Sequence, residues 1–356
     1  MIYNSMRIRF TSSLCLLRCL LLALVAGTLT SCITEDVPDN TRRGNFEALW
    51  STLDRRYCFF DYKNEAYGLD WNEVYDRYSP AINEQMTDRQ LFEVLGNMAC
   101  ELRDGHVNLY ASHDVVRYGA WFDDFPTNYS DTLERIYLGK TEEYQVASGL
   151  KYKVLEDNIG YVRCASFQNG FGNGNLHEML RTLAVCDGLI VDIRNNGGGM
   201  LSAAEQLASL FTNEEYVAGY ISHKTGPGHQ NFSSPEPMKI TPFEGFRWQK
   251  PAVVLTNRRT FSAANAFTMF LKGRPGITIV GDRTGGGSGM PFNSELPNGW
   301  TIRFSACPMY TAKMEQTEMG IDPDVKVDIA SGDFERGIDT IIETARQCLH
   351  GKSALR

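Results

Sequence analysis

The spacing of apolar residues separates a helical first part of the chain from a mixed second part. Between residues 45 and 103, apolar side chains recur every three or four positions, which is typical of amphipathic helices. The clearest runs are Phe46–Tyr57, Trp71–Tyr78 and Asp88–Leu102, with Thr87 as a candidate N-cap for the last. Three such helices predict a small N-terminal helical bundle, to which we assign residues 45–112.

From Lys151 onward, strand patterns alternate with helical patterns. Buried or alternating runs at Ile159–Phe167, Gly188–Arg194, Ala252–Thr256 and Ile277–Asp282 predict strands, and helical spacing follows at 176–185, 201–211 and 261–271. This alternation predicts right-handed βαβ units, a mostly parallel sheet and an α/β core at 151–350. Between the two parts we predict a connecting segment at 113–150, which is mostly loop at 121–131. Within the core we predict a long irregular insertion at 212–250 with a strand at its start. A strand at Thr301–Tyr310 and a closing helix at Phe334–His350 complete the prediction.

The first residues are typical of a targeting segment. Three Arg precede or enter the apolar run Cys19–Leu29, which is too short to span a bilayer. The run ends in Leu29-Thr30-Ser31-Cys32, which resembles the lipobox of bacterial lipoproteins; an ordinary signal peptide with an incidental Cys is the alternative. We predict a lipoprotein signal peptide at 1–31, lipidation of Cys32, a flexible tether at 32–44, and a lipid-anchored location in the cell envelope, at the outer membrane facing the periplasm or the cell surface.

Charge and cysteine content narrow the function classes. The chain has 35 basic and 43 acidic residues, and three of the basic residues lie before Cys32, so cleavage there would leave 32 against 43. No later segment concentrates Lys and Arg, and we therefore expect no nucleic-acid partner. The cysteines after Cys32 form no CxxC or metal-ligand spacing, and we expect neither a metal nor a cofactor.

Ser262 lies where the Ala252–Thr256 strand turns into the next helix. A hydroxyl at such a turn is held out beside the free N–H groups of the first helical turn, as an acyl-transfer nucleophile requires. The alternative is that Ser262 is only the N-cap of a buried helix.

Other segments carry candidate chemistry with open alternatives. The glycine-rich loop Asn195–Gly199 follows a strand and permits either an anion-binding nest or a tight turn with positive φ. The second glycine-rich loop, Gly281–Gly289, also follows a strand and is either the lining of a groove for a substrate backbone or a mobile lid. His106 follows an Asp-Gly turn and is either a functional or a buried structural histidine.

Five motifs in order resemble one serine peptidase family. DGHVNL, VDIRNNGGG, the Ser262 segment, GDRTGGG and EMGIDPDVKV are similar to motifs of the family that includes the C-terminal processing peptidases, tricorn core protease and the interphotoreceptor retinoid-binding protein repeats. The resemblance covers about residues 45–330. It implies a crotonase/ClpP-like ββα superhelix as the α/β core.

The sequence resembles the His-assisted branch of that family. Processing peptidases use a Ser-Lys dyad, and the position that matches their Lys is Gly287. They also carry a PDZ domain ahead of the core, for which the interval 111–150 is too short. In tricorn-like members, Ser262 matches the nucleophile, His106 the general base, and Glu318 the acid that orients the base directly or through a hydroxyl, with a neighbouring acid such as Glu315 as the alternative.

The same resemblance implies the remaining site residues. Gly198 and the N–H of Ala263 match the oxyanion-hole donors, and the two glycine-rich loops match substrate-binding positions at Gly197, Gly199, Gly285 and Gly286. The predicted function is a membrane-anchored serine endopeptidase acting on a peptide or protein substrate. The alternatives are a non-catalytic peptide- or lipid-binding lipoprotein on the same fold, and an acyl esterase.

Overall fold

The computed structural model describes residues 39–351. The signal peptide, Cys32 and most of the tether lie outside the described residues, so they stay predictions. Over the described range, no helix is both long and apolar enough to cross a bilayer.

Helices dominate the first part of the chain and recur between the strands of the second. They are α1 Arg42–Arg56, α2 Phe60–Tyr67, α3 Trp71–Tyr78, α4 Asp88–Cys100, α5 Ala120–Asp123, α6 Asp131–Leu138, α7 Asn173–Leu183, α8 Leu201–Ala208, α9 Ala263–Leu271, α10 Ser331–Glu335 and α11 Thr340–Leu349. The predicted cap of α4 is confirmed, because Thr87 and Gln90 form a capping box.

The strands belong to two sheets. In chain order they are β1 Asn108–Tyr110, β2 Val115–Arg117, β3 Gln145–Ala147, β4 Leu150–Val154, β5 Ile159–Arg163, β6 Gly188–Asp192, β7 Tyr216–Ile221, β8 Glu236–Ile240, β9 Ala252–Thr256, β10 Ile277–Gly281, β11 Gly289–Glu295, β12 Thr301–Thr311 and β13 Val325–Lys326.

One sheet is mostly parallel, as the sequence predicts. Its order is β13-β10-β9-β6-β5-β4-β3, with parallel pairing from β13 to β5 and antiparallel pairing at β4 and β3. Every residue of β6 and β9 is buried, which explains why these strands read as continuous apolar runs. Helices α7, α8 and α9 cover one face and α11 packs on the other. The predicted α/β class is confirmed.

The second sheet is antiparallel and joins distant parts of the chain. Its order is β2-β1-β12-β7-β8, with β11 also paired to β12. The N-terminal helices pack against it, since Leu49 of α1 and Leu95 of α4 share a buried cluster with Ile302 and Phe304 of β12. The helical part of the chain therefore has no separate core.

One local prediction is wrong, one is right only in part, and two short helices were not predicted. In the segment 212–250 the strand predicted at its start is present as β7, but the remainder is not wholly irregular, because β8 pairs with β7 and extends the antiparallel sheet. The closing helix is two helices, α10 and α11, separated at Gly337, whose φ of 75° interrupts the helix; Asp339 caps the second. Helix α2 was not predicted, and α5 overlaps the start of the segment 121–131, which is loop from 124 to 130 as expected.

Candidate active site

Ser262 occupies a strained turn between β9 and α9. Its φ is 59° and ψ is −122°, outside the regions that non-glycine residues favour. Its N–H donates to Gly286 O at 2.9 Å, while its side chain makes no capping hydrogen bond. The hydroxyl is therefore not engaged as an N-cap, and the backbone strain holds it away from the helix, as strained residues at functional sites often are.

The structure brings His106 to Ser262. His106 Nε2 lies 3.0 Å from Ser262 Oγ, a hydrogen-bond distance between residues 156 positions apart in sequence. The imidazole is 4% exposed and packs against the ring of Phe261, with 4.7 Å between ring centroids. Burial lowers the pKa of His106 to about 4, with Arg303 adding to the shift and Asp104 opposing it. A neutral imidazole can accept the proton of a hydroxyl, so this pair has the geometry of a nucleophile and its base.

Glu318 lies in the same buried region but does not hydrogen-bond to His106. Its Oε1 accepts from Lys63 Nζ at 3.3 Å and its Oε2 from the Ser288 N–H at 3.0 Å. Burial raises the pKa of Glu318, and Asp104 raises it further, while Lys63 lowers it. Glu318 therefore does not orient the imidazole by direct contact. Glu315 is exposed on the turn after β12, away from this cluster.

Two buried polar atoms next to this cluster have no partner in the described part of the chain. They are His106 Nδ1 and Ser288 Oγ. Buried polar groups in native proteins are nearly always satisfied, by protein or by water, so each requires an explanation. The Ser288 N–H already bonds to Glu318, which makes its hydroxyl a candidate for the intervening group between acid and imidazole.

Sequence reasoning missed two residues of the site. Asp104 Oδ1 accepts from the His106 N–H at 2.7 Å, and its Oδ2 accepts from Tyr57 OH and Ser305 Oγ, so its carboxylate fixes the turn that carries His106. Lys63 is 1% exposed and reaches Glu318 from α2. Asp104 stands in the DGH motif and could have been singled out, whereas α2 gave no periodic signal that points to Lys63.

The two predicted oxyanion-hole donors differ in availability. The Ala263 N–H begins α9 and has no hydrogen-bond partner among residues 39–351. The Gly198 N–H instead donates to Asn196 Oδ1 at 2.9 Å. Gly198 is adjacent to Ser262, since a Cβ there would lie 2.8 Å from both Ser262 Cβ and Ala263 N. Ala263 is thus the free donor, and Gly198 could only share a proton already bonded to Asn196.

The four glycines predicted to bind substrate have different environments. Gly197 is exposed, with open space where a Cβ would be. Gly199 pairs with Phe167, and Gly286 pairs with Phe261 and lies against the Glu318 backbone, so both serve close backbone packing. Gly285 packs against Trp121 at the edge of a cavity.

The position that matches the lysine of processing peptidases is closed to a side chain. Gly287 has φ of 76°, and a Cβ there would lie 2.4 Å from Phe261 Cζ. The Phe261 ring, stacked between His106 and Trp121, fills the space that a lysine side chain would need.

Comparison with known proteins identifies the family of this chain. The family model described as Peptidase family S41 matches residues 158–327, and that of the Tricorn protease C1 domain matches residues 38–100. A solved structure from Parabacteroides merdae, assigned as a peptidase, is 46% identical and covers 87% of this chain and 97% of its own, with a TM-score of 0.83. Mature CPAF in complex with lactacystin shares the fold, with a TM-score of 0.66 at 14% identity and coverage of 87% and 99%.

Curated relatives are longer proteins. The carboxyl-terminal-processing protease of Synechocystis is 27% identical over 268 residues, which are 73% of this chain and 58% of that protein. The carboxy-terminal processing protease CtpA of Bacillus subtilis is 26% identical over 180 residues, 50% of this chain and 36% of that protein. The predicted family is confirmed: the chain belongs to peptidase family S41.

Proposed function

We propose that this chain is a serine endopeptidase that cleaves peptide bonds through an acyl-enzyme on Ser262, with His106 as general base. The observation that carries the proposal is the 3.0 Å contact between His106 Nε2 and Ser262 Oγ, made by a buried and neutral imidazole. It is supported by the strained backbone of Ser262, whose hydroxyl makes no capping hydrogen bond, and by the free Ala263 N–H beside it.

The chemistry follows from these positions. Ser262 Oγ attacks the scissile carbonyl carbon while its proton passes to His106 Nε2. The carbonyl oxygen gains negative charge, which the Ala263 N–H stabilises; one such donor is worth on the order of 3 kcal/mol of barrier. The C–N bond then breaks, and His106 gives its proton to the leaving amine. Water attacks the ester with His106 again taking the proton, which returns to Ser262 as the acid leaves.

Glu318 is proposed to act through Ser288 rather than by direct contact. The Ser288 hydroxyl would bridge the carboxyl group and His106 Nδ1, which holds the imidazole in the tautomer with a free Nε2 lone pair. Ser288→Ala should then lower the rate of Ser262 acylation by about tenfold or more. Ser294→Ala on the neighbouring strand β11 is the control and should have no effect. An unchanged rate in Ser288→Ala would exclude the bridge.

Labelling with a fluorophosphonate probe tests the catalytic proposal. Purified residues 33–356 should be labelled, and Ser262→Ala and His106→Ala should not. Absence of labelling in a correctly folded wild type, alone and with peptide present, would favour a peptide- or lipid-binding protein. Comparison of chromogenic esters with peptides separates a peptidase from an acyl esterase.

We also propose that Cys32 anchors the protein to the outer membrane, which the lipobox-like Leu29–Cys32 supports. Metabolic labelling with a radioactive fatty acid should mark the full chain and not Cys32→Ser. Release of the wild type into the soluble envelope fraction would contradict the anchor.

A further inference from the structure

A cavity of about 270 Å³ lies beside the Ser262–His106 pair. Gly105 and Phe261, the chain neighbours of His106 and Ser262, form part of its wall, and Glu318 lies in the same wall. Helix α5 contributes Trp121, whose ring stacks on Phe261 with 4.4 Å between centroids. Ser262 and His106 do not line the cavity themselves, but their chain neighbours do, and six separate segments of the chain build it.

Basic side chains outnumber acidic ones in the wall of this cavity. Lys63, Arg103, Arg258 and Arg283 line it, against the single carboxyl group of Glu318, which Lys63 already pairs. The whole chain carries a net charge of −8. Three guanidinium groups around one small cavity in an acidic protein indicate a site for an anion.

The guanidinium groups are poorly supplied with acceptors. Arg283 Nε is buried and has no hydrogen-bond partner in the described chain; its nearest carboxylate, Asp322, is 3.6 Å away. Arg103 lies over the ring of Tyr67 at 4.3 Å and has no carboxylate partner within residues 39–351. Arg258 is the exception, since its Nε donates to Asp282 at 3.2 Å. Arg103, which an aromatic ring holds in place, and Arg283, whose Nε lacks an acceptor, are therefore suited to bind a carboxylate in a bidentate manner.

The size of the cavity limits the ligand. Pockets for small-molecule ligands measure roughly 300 to 1,000 Å³. This cavity, at about 270 Å³, lies just below that range, so its ligand is small, about the size of one amino-acid residue. Its aromatic walls at Trp121 and Tyr118 would contact the aliphatic part of such a residue while the arginines take the charged end.

We propose that this cavity is a subsite that binds a carboxylate group of the peptide substrate. This inference rests on the peptidase function proposed above. Two sources share this chemistry: the side chain of an Asp or Glu, and the C-terminal carboxylate. Either would direct cleavage toward peptide bonds close to a negative charge.

The test measures binding apart from catalysis. Three fluorescent heptapeptides of one alanine-rich sequence are compared on the Ser262→Ala protein by anisotropy. One is neutral, with Gln and a C-terminal amide; one has Glu in place of Gln; one keeps Gln and has a free C-terminus. We expect one of the two charged peptides to bind about fivefold or more tightly than the neutral one, and this identifies the source.

Arginine variants assign the effect to the cavity. Arg103→Gln and Arg283→Gln, each in the Ser262→Ala background, should abolish the preference. Arg89→Gln is the matched control, because Arg89 is exposed on α4 and does not line the cavity. Equal binding of all three peptides, or an equal loss in Arg89→Gln, would overturn the proposal.

Failure of the subsite and failure of the proposed function remain distinct. Fluorophosphonate labelling of the wild-type protein reports the nucleophile alone, and the peptide comparison on the Ser262→Ala protein reports the subsite alone. Labelling with no carboxylate preference refutes the subsite only. A carboxylate preference without labelling keeps the site and makes the chain a binding protein.

Discussion

At the scale of single residues, the buried state of His106 determines the pH dependence of the proposed reaction. The pKa of a histidine in the unfolded chain is about 6.5, whereas burial lowers that of His106 to about 4. The base is therefore neutral and competent above about pH 5. The second-order rate of fluorophosphonate labelling should stay level from pH 8 to pH 5 and fall to half near pH 4. Circular dichroism at each pH serves as the folding control, and a half-maximum near pH 6.5 would contradict the prediction.

Lys63 and Glu318 form the buried ion pair on which a second prediction rests. Lys63→Met removes the cation from a fully buried carboxyl group and should destabilise the protein by about 3 kcal/mol. Without Lys63, the pKa of Glu318 rises further. A carboxyl group whose pKa is raised in the folded state stabilises the fold at low pH, and this stabilisation is lost as the pH rises through the folded-state pKa. The destabilisation by Lys63→Met should therefore be larger at pH 9 than at pH 5.

Urea unfolding measures the change, and a double-mutant cycle isolates the pair. Lys63→Met with Glu318→Gln should cost less than the sum of the two single variants by at least about 1 kcal/mol. Lys239→Met breaks the exposed pair with Glu215 and should change stability by less than about 1 kcal/mol. Additive effects of Lys63→Met and Glu318→Gln would show that the pair is not coupled.

The residues that sequence analysis found and missed differ in one physical respect. Ser262 and His106 stand in motifs whose local turns can be recognised without the fold. Lys63 becomes part of the site only through a partner 255 positions away, in a helix whose own pattern predicts nothing. The hydrogen bond from the Gly198 N–H to the Asn196 side chain likewise depends on side-chain geometry that cannot be recognised in a motif.

At the scale of elements, the glycine-rich loop before β11 is shaped by close packing on Phe261. Gly287→Ala must place a Cβ 2.4 Å from Phe261 Cζ at a positive φ, and it should displace the ring beside His106. We expect a loss of more than about 2 kcal/mol and a reduced labelling rate of Ser262.

Gly273 provides the matched control for this prediction. It has the same φ of 76° at the end of α9, with nothing within 4 Å of an added Cβ. Gly273→Ala should therefore cost only the backbone strain, about 1 kcal/mol, and leave labelling unchanged. Equal effects in the two variants would show that contact with Phe261 is not what excludes a side chain at Gly287.

Elements with a strong pattern of their own were predicted, and so was a strand at the position of β7, but β8 and the pairing of β7 with distant partners were not. β6 and β9 are entirely buried, so composition alone indicates them. β7 and β8 are partly exposed and exist because β7 pairs with β12, which lies about 90 residues later in the chain. Their pairing could not be read from the insertion itself.

At the scale of the whole molecule, the site depends on parts of the chain that share their cores. Asp104 and His106 follow the N-terminal helices, and Lys63 belongs to one of them, whereas Ser262 and Glu318 belong to the second part. β1 begins two residues after His106 and pairs with β12. Packing of the helices on β12 adds a buried cluster common to both parts.

This arrangement predicts that the helices and the α/β core unfold together. Trp50 and Trp71 report on the helices, and Trp248 is buried against the parallel sheet. In variants that retain only Trp71 or only Trp248, urea should give transitions with the same midpoint, coincident with the loss of fluorophosphonate labelling. Lys63→Met changes a residue of the helices, yet it should shift both midpoints by the same amount. The reason is that the Lys63–Glu318 pair joins two parts of one cooperative unit, so its loss lowers the free energy of unfolding of the whole unit. Separate midpoints would mean that the helical part is an independent unit, and the supply of Lys63 and Asp104 to the site would then depend on a docking equilibrium rather than on folding.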